Sequence, residues 1–431
     1  MRLAPFFLLG ILCLGSAAAR AEEGQLLTGQ AAMGDWTSDA PGLRRQIKVA
    51  DLPPPNATRS ANNGPREVDR PPNARLHVPA GFKLEEYAAG FRDPRYLLTA
   101  PNGDLFVVES RANQIRVCRD TNGDGKPEQN ELFTEGGKLN KPFGIAFYPP
   151  GPNPQYLYVA NTDGIIRFPY RNGDLRARGP GETLGAQLSG GGLLRGGGHW
   201  TRDLVFSEDG KKMFVSIGSH SNVSDDAAEA DRARIFQFNP DGSGQKTYAW
   251  GIRNAVGIAV RPGTDELWMS VNERDELGDN LVPDYISSVR PGGFYGWPWY
   301  YLGANQDPRH KGEKPELASK VIVPDVLVQA HSASLNLCFY TGTQFPAEYR
   351  GDIFAAFHGS WNRTRRTGYK IVRVPFKAGK PTGAYEDFVT GFVTPDGDVW
   401  GRPVGVTVAK DGSLLFSEDA HGVIWRVSHA R

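Results

Sequence analysis

Apolar and polar positions along this chain change over in short bursts, without the longer wave of an amphipathic helix. From residue 76 onward the bursts come in pairs: an apolar run, a turn, and a second apolar run. Short runs bounded by Gly, Pro, Asp and Asn predict antiparallel strands joined by tight turns. The first pair spans residues 96–108, with Pro101, Asn102 and Gly103 at the turn. The second pairs 143–147 with 156–159, and the third pairs 204–206 with 213–217 across Ser207, Glu208, Asp209 and Gly210. The fourth joins 256–260 to 267–269, the fifth 335–340 to 352–356, and the sixth 404–408 to 414–416. Six copies at irregular spacing predict an all-β six-bladed β-propeller of four-stranded antiparallel blades. A single small sheet cannot bury both its faces, so the sheets must pack radially around a channel. The ring must also close, and residues 82–87 are expected to pair with residues 423–427 to complete one blade.

The 52 glycines and 32 prolines among 431 residues fit many short strands and turns better than long helices. Residues 1–21 read as a secretion signal, with Arg2, a short apolar run over 5–14, and Ala19-Arg20-Ala21 as the cleavage site. That run is too short for a stable membrane anchor, so a secreted or periplasmic product is expected. Residues 22–75 are rich in Pro, Asn and charge and read as an extended or partly disordered arm before a propeller at 76–431. Charge is balanced, 49 basic against 48 acidic residues, which removes the footprint of a nucleic-acid binder. Beyond Cys13 in the signal, Cys118 and Cys338 are the only cysteines. They allow one disulfide at most, although Cys118 in a strand reads as a buried free thiol; no CxxCH haem motif occurs.

Ligands of propellers gather at one mouth of the channel, so the residues just before each inner strand are the ones to inspect. They are Arg95, Lys141 with Pro142, His199, Arg253 with Asn254, residues 331–334 including His331, and Arg402. Alone, His199 is an ordinary loop histidine. Recurrence in register is what turns it into a candidate general base, since imidazole changes protonation near neutral pH. The arginines predict a cationic pocket for a ligand bearing carboxylates.

Several motifs resemble the glucose/sorbosone dehydrogenase family: His199 ahead of Asp209-Gly210, Gly251-Ile252-Arg253-Asn254, the run 292–298, and His358-Gly359-Ser360-Trp361-Asn362-Arg363. Gly401-Arg402-Pro403-Val404-Gly405-Val406 looks like its sorbosone-type branch. The resemblance implies a secreted six-bladed propeller that holds pyrroloquinoline quinone and Ca²⁺ and oxidises a small-molecule sugar. It casts His199 as catalytic base and Arg253 with Asn254 as the pair at the reactive quinone edge. Arg95, His358, Trp361 and Arg402 are implied as further cofactor contacts, and the carbonyls of Glu273 and Arg274 as Ca²⁺ ligands. His358 stands where the best-known members carry lysine, and Val404 where they carry a second arginine. A separate electron acceptor, a quinone or a cytochrome, is implied because no haem segment is fused.

Independently, Asp120, Asn122 and Asp124 with Gly125 and Glu131 match the ligand spacing of a calcium loop, although the flanks read as strands and an ion-free turn fits as well. The glycines at 190–192 and 196–198 lack the strand-to-helix setting of a phosphate site and read as a mobile loop beside His199. Two other readings stand beside the dehydrogenase. A calcium-dependent lactonase needs acid and amide side chains around a channel metal. A non-catalytic glycan-binding propeller would use Trp297, Trp299, Tyr300 and Tyr301 as a stacking rim, although packing within the blades is the commoner role for such residues.

Overall fold

Six sheets, antiparallel but for one parallel pair at the edge of the fifth, surround a central channel in the computed structural model, which describes residues 24–190 and 198–430. The expected signal at 1–21 lies outside the described residues, as does most of the glycine-rich loop. The first blade contains Pro94–Thr99, Leu105–Glu109, Gln114–Arg119 and Gln129–Glu135. The second contains Ile145–Tyr148, Tyr156–Ala160, Gly164–Pro169 and Glu182–Gln187. Leu204–Phe206, Met213–Ile217, Arg234–Phe238 and Lys246–Trp250 make the third. The fourth is Ala255–Val260, Leu267–Val271, Pro283–Ser288 and Val326–Ala330. Ser334–Phe339, Ile353–Phe357, Lys370–Val374 and Tyr385–Val389 form the fifth. The sixth is Pro403–Val408, Leu414–Glu418, Val423–His429 and, from the other end of the chain, Phe82–Ala88. The expected closure is present, with Leu84 opposite Val427 and Glu86 opposite Trp425.

Second strands of the blades are buried end to end in five of the six, as in Leu105–Glu109, Met213–Ile217 and Ile353–Phe357, and only Tyr156 of the second blade is partly open. Both faces of these strands meet neighbouring blades, so they read as continuous apolar runs instead of alternating ones. Inner strands crowd at the channel. A Cβ on Gly257 would lie 2.6 Å from the Leu335 carbonyl oxygen, so only glycine lets these two strands approach. Cys118 and Cys338 are both free thiols.

The arm departs from expectation. Its strands Leu26–Thr28 and Arg44–Gln46 extend the fifth blade to six strands through Tyr385–Val389. Arg45 is fully buried, 2.8 Å from Asp39 and 2.6 Å from Asp387. Lys370, also fully buried, lies 2.8 and 2.9 Å from the same two carboxylates. Two cations against two carboxylates neutralise the cluster, and this makes burial of so much charge affordable in a polar arm. These two strands and Arg45 are therefore built onto the propeller.

Candidate functional site

In an antiparallel blade, the start of the first strand and the end of the second lie at the same mouth. Side chains from both places converge on a cavity of about 1310 Å³. Arg95, His199, Arg253, Asn254, His331 and Arg402 reach it from the starts of inner strands. Glu273, His358 and Trp361 reach it from loops after second strands. Of the residues before inner strands, Lys141 and Pro142 do not line it.

His199 is held by the loop that follows Met213–Ile217. Its Nδ1 lies 2.9 Å from the Ser219 carbonyl oxygen and 3.1 Å from Ser219 Oγ. A carbonyl can only accept, so Nδ1 carries the proton and Nε2 keeps a free lone pair. Burial, reinforced by the Arg253 guanidinium, holds the imidazole pKa well below its usual value. The ring is thus a neutral base near neutral pH. Gly218 makes the arrangement possible, because a Cβ there would lie 2.2 Å from Asn254 Oδ1 and 2.7 Å from His199 Cβ.

Arg253 stands on a rigid support. It donates to Asn222 through Nε at 3.2 Å and NH2 at 3.0 Å, and NH2 also donates to Asp275 at 2.9 Å. Asp275 in turn accepts from Asn362 Nδ2 at 2.5 Å. His331 backs the group: its Nε2 donates to the Gly278 carbonyl at 2.9 Å, which leaves Nδ1 to accept from Asn362 at 3.1 Å.

A second cluster joins blades one, five and six. Arg402 NH2 donates to His358 Nδ1 at 3.0 Å, so the proton of this imidazole sits on Nε2 and is donated to Asp419 at 3.0 Å. Arg95 is ion-paired with the same carboxylate. Burial, together with the Arg402 charge, lowers the His358 pKa to about 4. Burial alone would raise Asp419, but His358 and Arg95 outweigh it and hold the carboxylate well below the usual range. Arg402 also donates to Glu67 of the arm at 3.0 Å.

These contacts correct the expected cationic pocket: Asp419, Asp275 and Glu67 give each of its three arginines a carboxylate partner. Asp419 and Asp275 were not singled out in the sequence, though Asp419 follows the strand Leu414–Glu418 as His358 follows Ile353–Phe357. Glu273 lines the cavity, whereas the Arg274 side chain turns into the protein, donating to the carbonyls of Pro298 and Tyr300 at 2.6 Å each. Asp284 lies beside Glu273, accepts from the main chain of Glu273 and Ala333 at 2.8 Å each, and is pushed up to about 7 by burial. Trp361 is exposed at the mouth, whereas Trp297, Tyr300 and Tyr301 are buried, so these three take the commoner packing role and offer no stacking rim.

The calcium-type loop lies elsewhere. It follows the third strand of the first blade, at the end opposite the cavity. Asp120 and Asp124 group with Glu128, their oxygens within 4.8 Å of one another, and Asn122 Nδ2 donates to Glu128 at 2.6 Å. Glu131 does not take part. It is already inside the strand Gln129–Glu135, opposite Val117, and pairs with Arg176 at 3.2 Å.

Comparison with known proteins adds a lineage. The profile of a family described as TrAA12-like matches residues 76–293 and 304–430. An uncharacterized protein of Borreliella burgdorferi is 29% identical over 365 residues, covering 83% of this chain and 91% of that protein. A pyrroloquinoline quinone-dependent pyranose dehydrogenase of Coprinopsis cinerea is 24% identical over 416 residues, covering 82% of this chain. The match spans only 54% of that dehydrogenase's length. A calcium structure of a Trichoderma reesei carbohydrate-active enzyme of family AA12 superposes with a TM-score of 0.68 at 21% identity, over 85% of this chain and 99% of that one. At that identity the likeness establishes the shared propeller fold.

Proposed function

This chain belongs to the TrAA12-like family, and from that premise we propose that it is an exported quinoprotein oxidoreductase. It oxidises a sugar or sugar-derived aldehyde and passes electrons to a separate acceptor, a quinone or a cytochrome. One observation carries the reading: a neutral imidazole with a free Nε2, His199, shares a cavity with buttressed Arg253 and with the Arg95–His358–Arg402 cluster. Support for the cofactor comes from the Coprinopsis relative, whose name gives its dependence on pyrroloquinoline quinone, and for the metal from the calcium structure of the Trichoderma protein.

The residues present fit both groups. Nε of Arg95 and Nε of Arg402 are buried without a partner, and so are Asn254 Oδ1 and Glu273 Oε1. Buried polar atoms of native proteins are almost always satisfied, so orphan donors suit a planar polyanion and an orphan carboxylate oxygen suits a cation. Arg95, Arg253, Asn254, His358, Trp361 and Arg402 would hold the quinone, and the carbonyls of Glu273 and Arg274 the Ca²⁺. Once bound, the quinone would accept hydride and the cation would polarise it as a Lewis acid. His199 Nε2 takes the proton of the sugar hydroxyl, while Ser219 fixes the ring. Arg253, pinned by Asp275 and Asn222, offers fixed donors where negative charge develops.

No helix among the described residues is long and apolar enough to cross a membrane. The test is reconstitution: protein given the quinone and Ca²⁺ should reduce a dye when sugar is added, and His199→Ala should remove most of that activity. Undiminished activity in the variant refutes the base.

A calcium-dependent lactonase is the second reading, and it gains from the amides of Asn222, Asn254 and Asn272 lining the cavity with Glu273, Asp275 and Asp284. Lactone hydrolysis without added quinone separates it from the first.

A further inference from the structure

We propose that Asp225, His310 and Glu313 form a Zn²⁺ site, separate from the main cavity, that pins loops of two neighbouring blades together. One ligand atom from each residue lies within 4.8 Å of the others. Asp225 belongs to the loop after Met213–Ile217 of the third blade. His310 and Glu313 belong to the long connection between Pro283–Ser288 and Val326–Ala330 of the fourth. None of the three lines the main cavity. Unlike the all-carboxylate group around Asp120, this one includes a buried imidazole.

The imidazole is the informative member. His310 Nε2 lies 2.6 Å from the Val223 carbonyl oxygen. That carbonyl can only accept, so Nε2 carries the proton and Nδ1 the lone pair of the neutral ring. Nδ1 faces Glu313 Oε2 at 2.8 Å. Two acceptors repel at that distance unless a cation stands between them. An imidazolium paired with Glu313 would satisfy the distance as well, but it has no use for a third donor. Asp225 supplies one, oriented by Trp299 Nε1, which donates to its Oδ2 at 3.2 Å. An imidazole whose far N–H is bound to a carbonyl, beside a carboxylate that is itself hydrogen-bonded, has the outer shell that metal ligands carry. The main chain sets the other two ligands in place: Glu313 N–H donates to the His310 carbonyl at 3.0 Å, and Asp307 caps the turn Pro308–His310.

Bonds of about 2.0–2.2 Å to a shared ion place ligand atoms at most about 4.4 Å apart. Asp225 and Glu313 are exposed, so their carboxylates can close by the small remainder. One imidazole with two carboxylates suits Zn²⁺ better than Ca²⁺, which prefers oxygen alone. Asn222, which accepts from Arg253 through its carbonyl and its side chain, lies in the same loop as Asp225. The ion would therefore brace the support of Arg253 from outside the cavity.

The experiment strips the full chain of metal with a chelator, restores excess Ca²⁺, and titrates with Co²⁺ as a coloured stand-in for Zn²⁺. Expected is a visible absorption that saturates at one equivalent and is abolished by Zn²⁺, which binds such donors more tightly. Zn²⁺ should also raise the melting temperature. Asp225→Asn, Glu313→Gln and His310→Gln should each weaken Zn²⁺ binding by at least about tenfold and cancel that rise. The first two alter exposed side chains, so they keep the test decisive even where His310→Gln fails to fold. Absence of saturable Co²⁺ binding overturns the site and leaves an ion pair between His310 and Glu313. Zn²⁺ affinity unchanged in both carboxylate variants also overturns it, because the metal is then held elsewhere.

Discussion

Substituting Gly218 by alanine tests the geometry of the base without touching a reactive group. Gly218 is not in the left-handed region, so alanine meets no backbone penalty there, and any effect must come from collision. The new methyl would lie 2.7 Å from His199 Cβ and 2.2 Å from Asn254 Oδ1. Carbon atoms in contact prefer about 3.5–4.0 Å, so the imidazole must retreat by about 1 Å. Asn254 must turn as well, and its terminal amide can do so more easily than the His199 stem. A misplacement of about 1 Å in a reacting group can lower turnover by about 100-fold. The assay is sugar-dependent dye reduction after loading with quinone and Ca²⁺, with circular dichroism and the melting temperature as controls for folding. Expected is a folded variant, little changed in melting temperature, with kcat reduced by about two orders of magnitude. A folded variant with wild-type kcat refutes the claim that His199 and Asn254 work in this packing.

Two further outcomes follow from burial and charge. In protein without added cofactor, the ring resonances of His199 should show no titration between pH 6.5 and 9, because burial and Arg253 disfavour the imidazolium. A depressed pKa means that activity is lost only as pH falls through that low value; an NMR midpoint at or above 6.5 contradicts the assignment. Arg45→Met should leave Asp39 and Asp387 short of a buried partner and destabilise the protein by about 3–5 kcal/mol. Urea denaturation measures this, and a loss below about 1 kcal/mol would mean that the arm is not part of the cooperative fold.

The propeller was legible because turns built on glycine stand at recurring places between apolar runs, and because the first and last strands looked incomplete without each other. The arm was not legible. Its composition is that of a solvated leader, and the burial of Arg45 depends on Asp387, hundreds of positions away. At the site, register pointed to side chains that precede inner strands, which recovered His199, Arg253, Asn254 and Arg402 as cavity-lining residues. The loops after second strands share that mouth, yet they carry no common residue type, so Ser219, Asp275 and Asp419 went unseen. The Asp275 and Asp419 carboxylates, with Glu67 of the arm, changed the electrostatics from a cationic bowl to paired charges. Ligand spacing misled at the calcium-type loop for a simple reason. The strand begins at Gln129, so Glu128 is the last residue still free to turn inward, and Glu131 is committed to pairing.

The central claim, that this cavity takes a quinone beside His199, is tested most directly by an absorption titration. Protein is mixed with pyrroloquinoline quinone and Ca²⁺, and the spectrum is followed to saturation and again after sugar is added. The account predicts saturable binding at one equivalent per chain, weakened by Arg402→Ala, and reduction of the bound quinone by sugar in wild type but not in His199→Ala. A quinone spectrum unchanged by the protein at all ratios would contradict it.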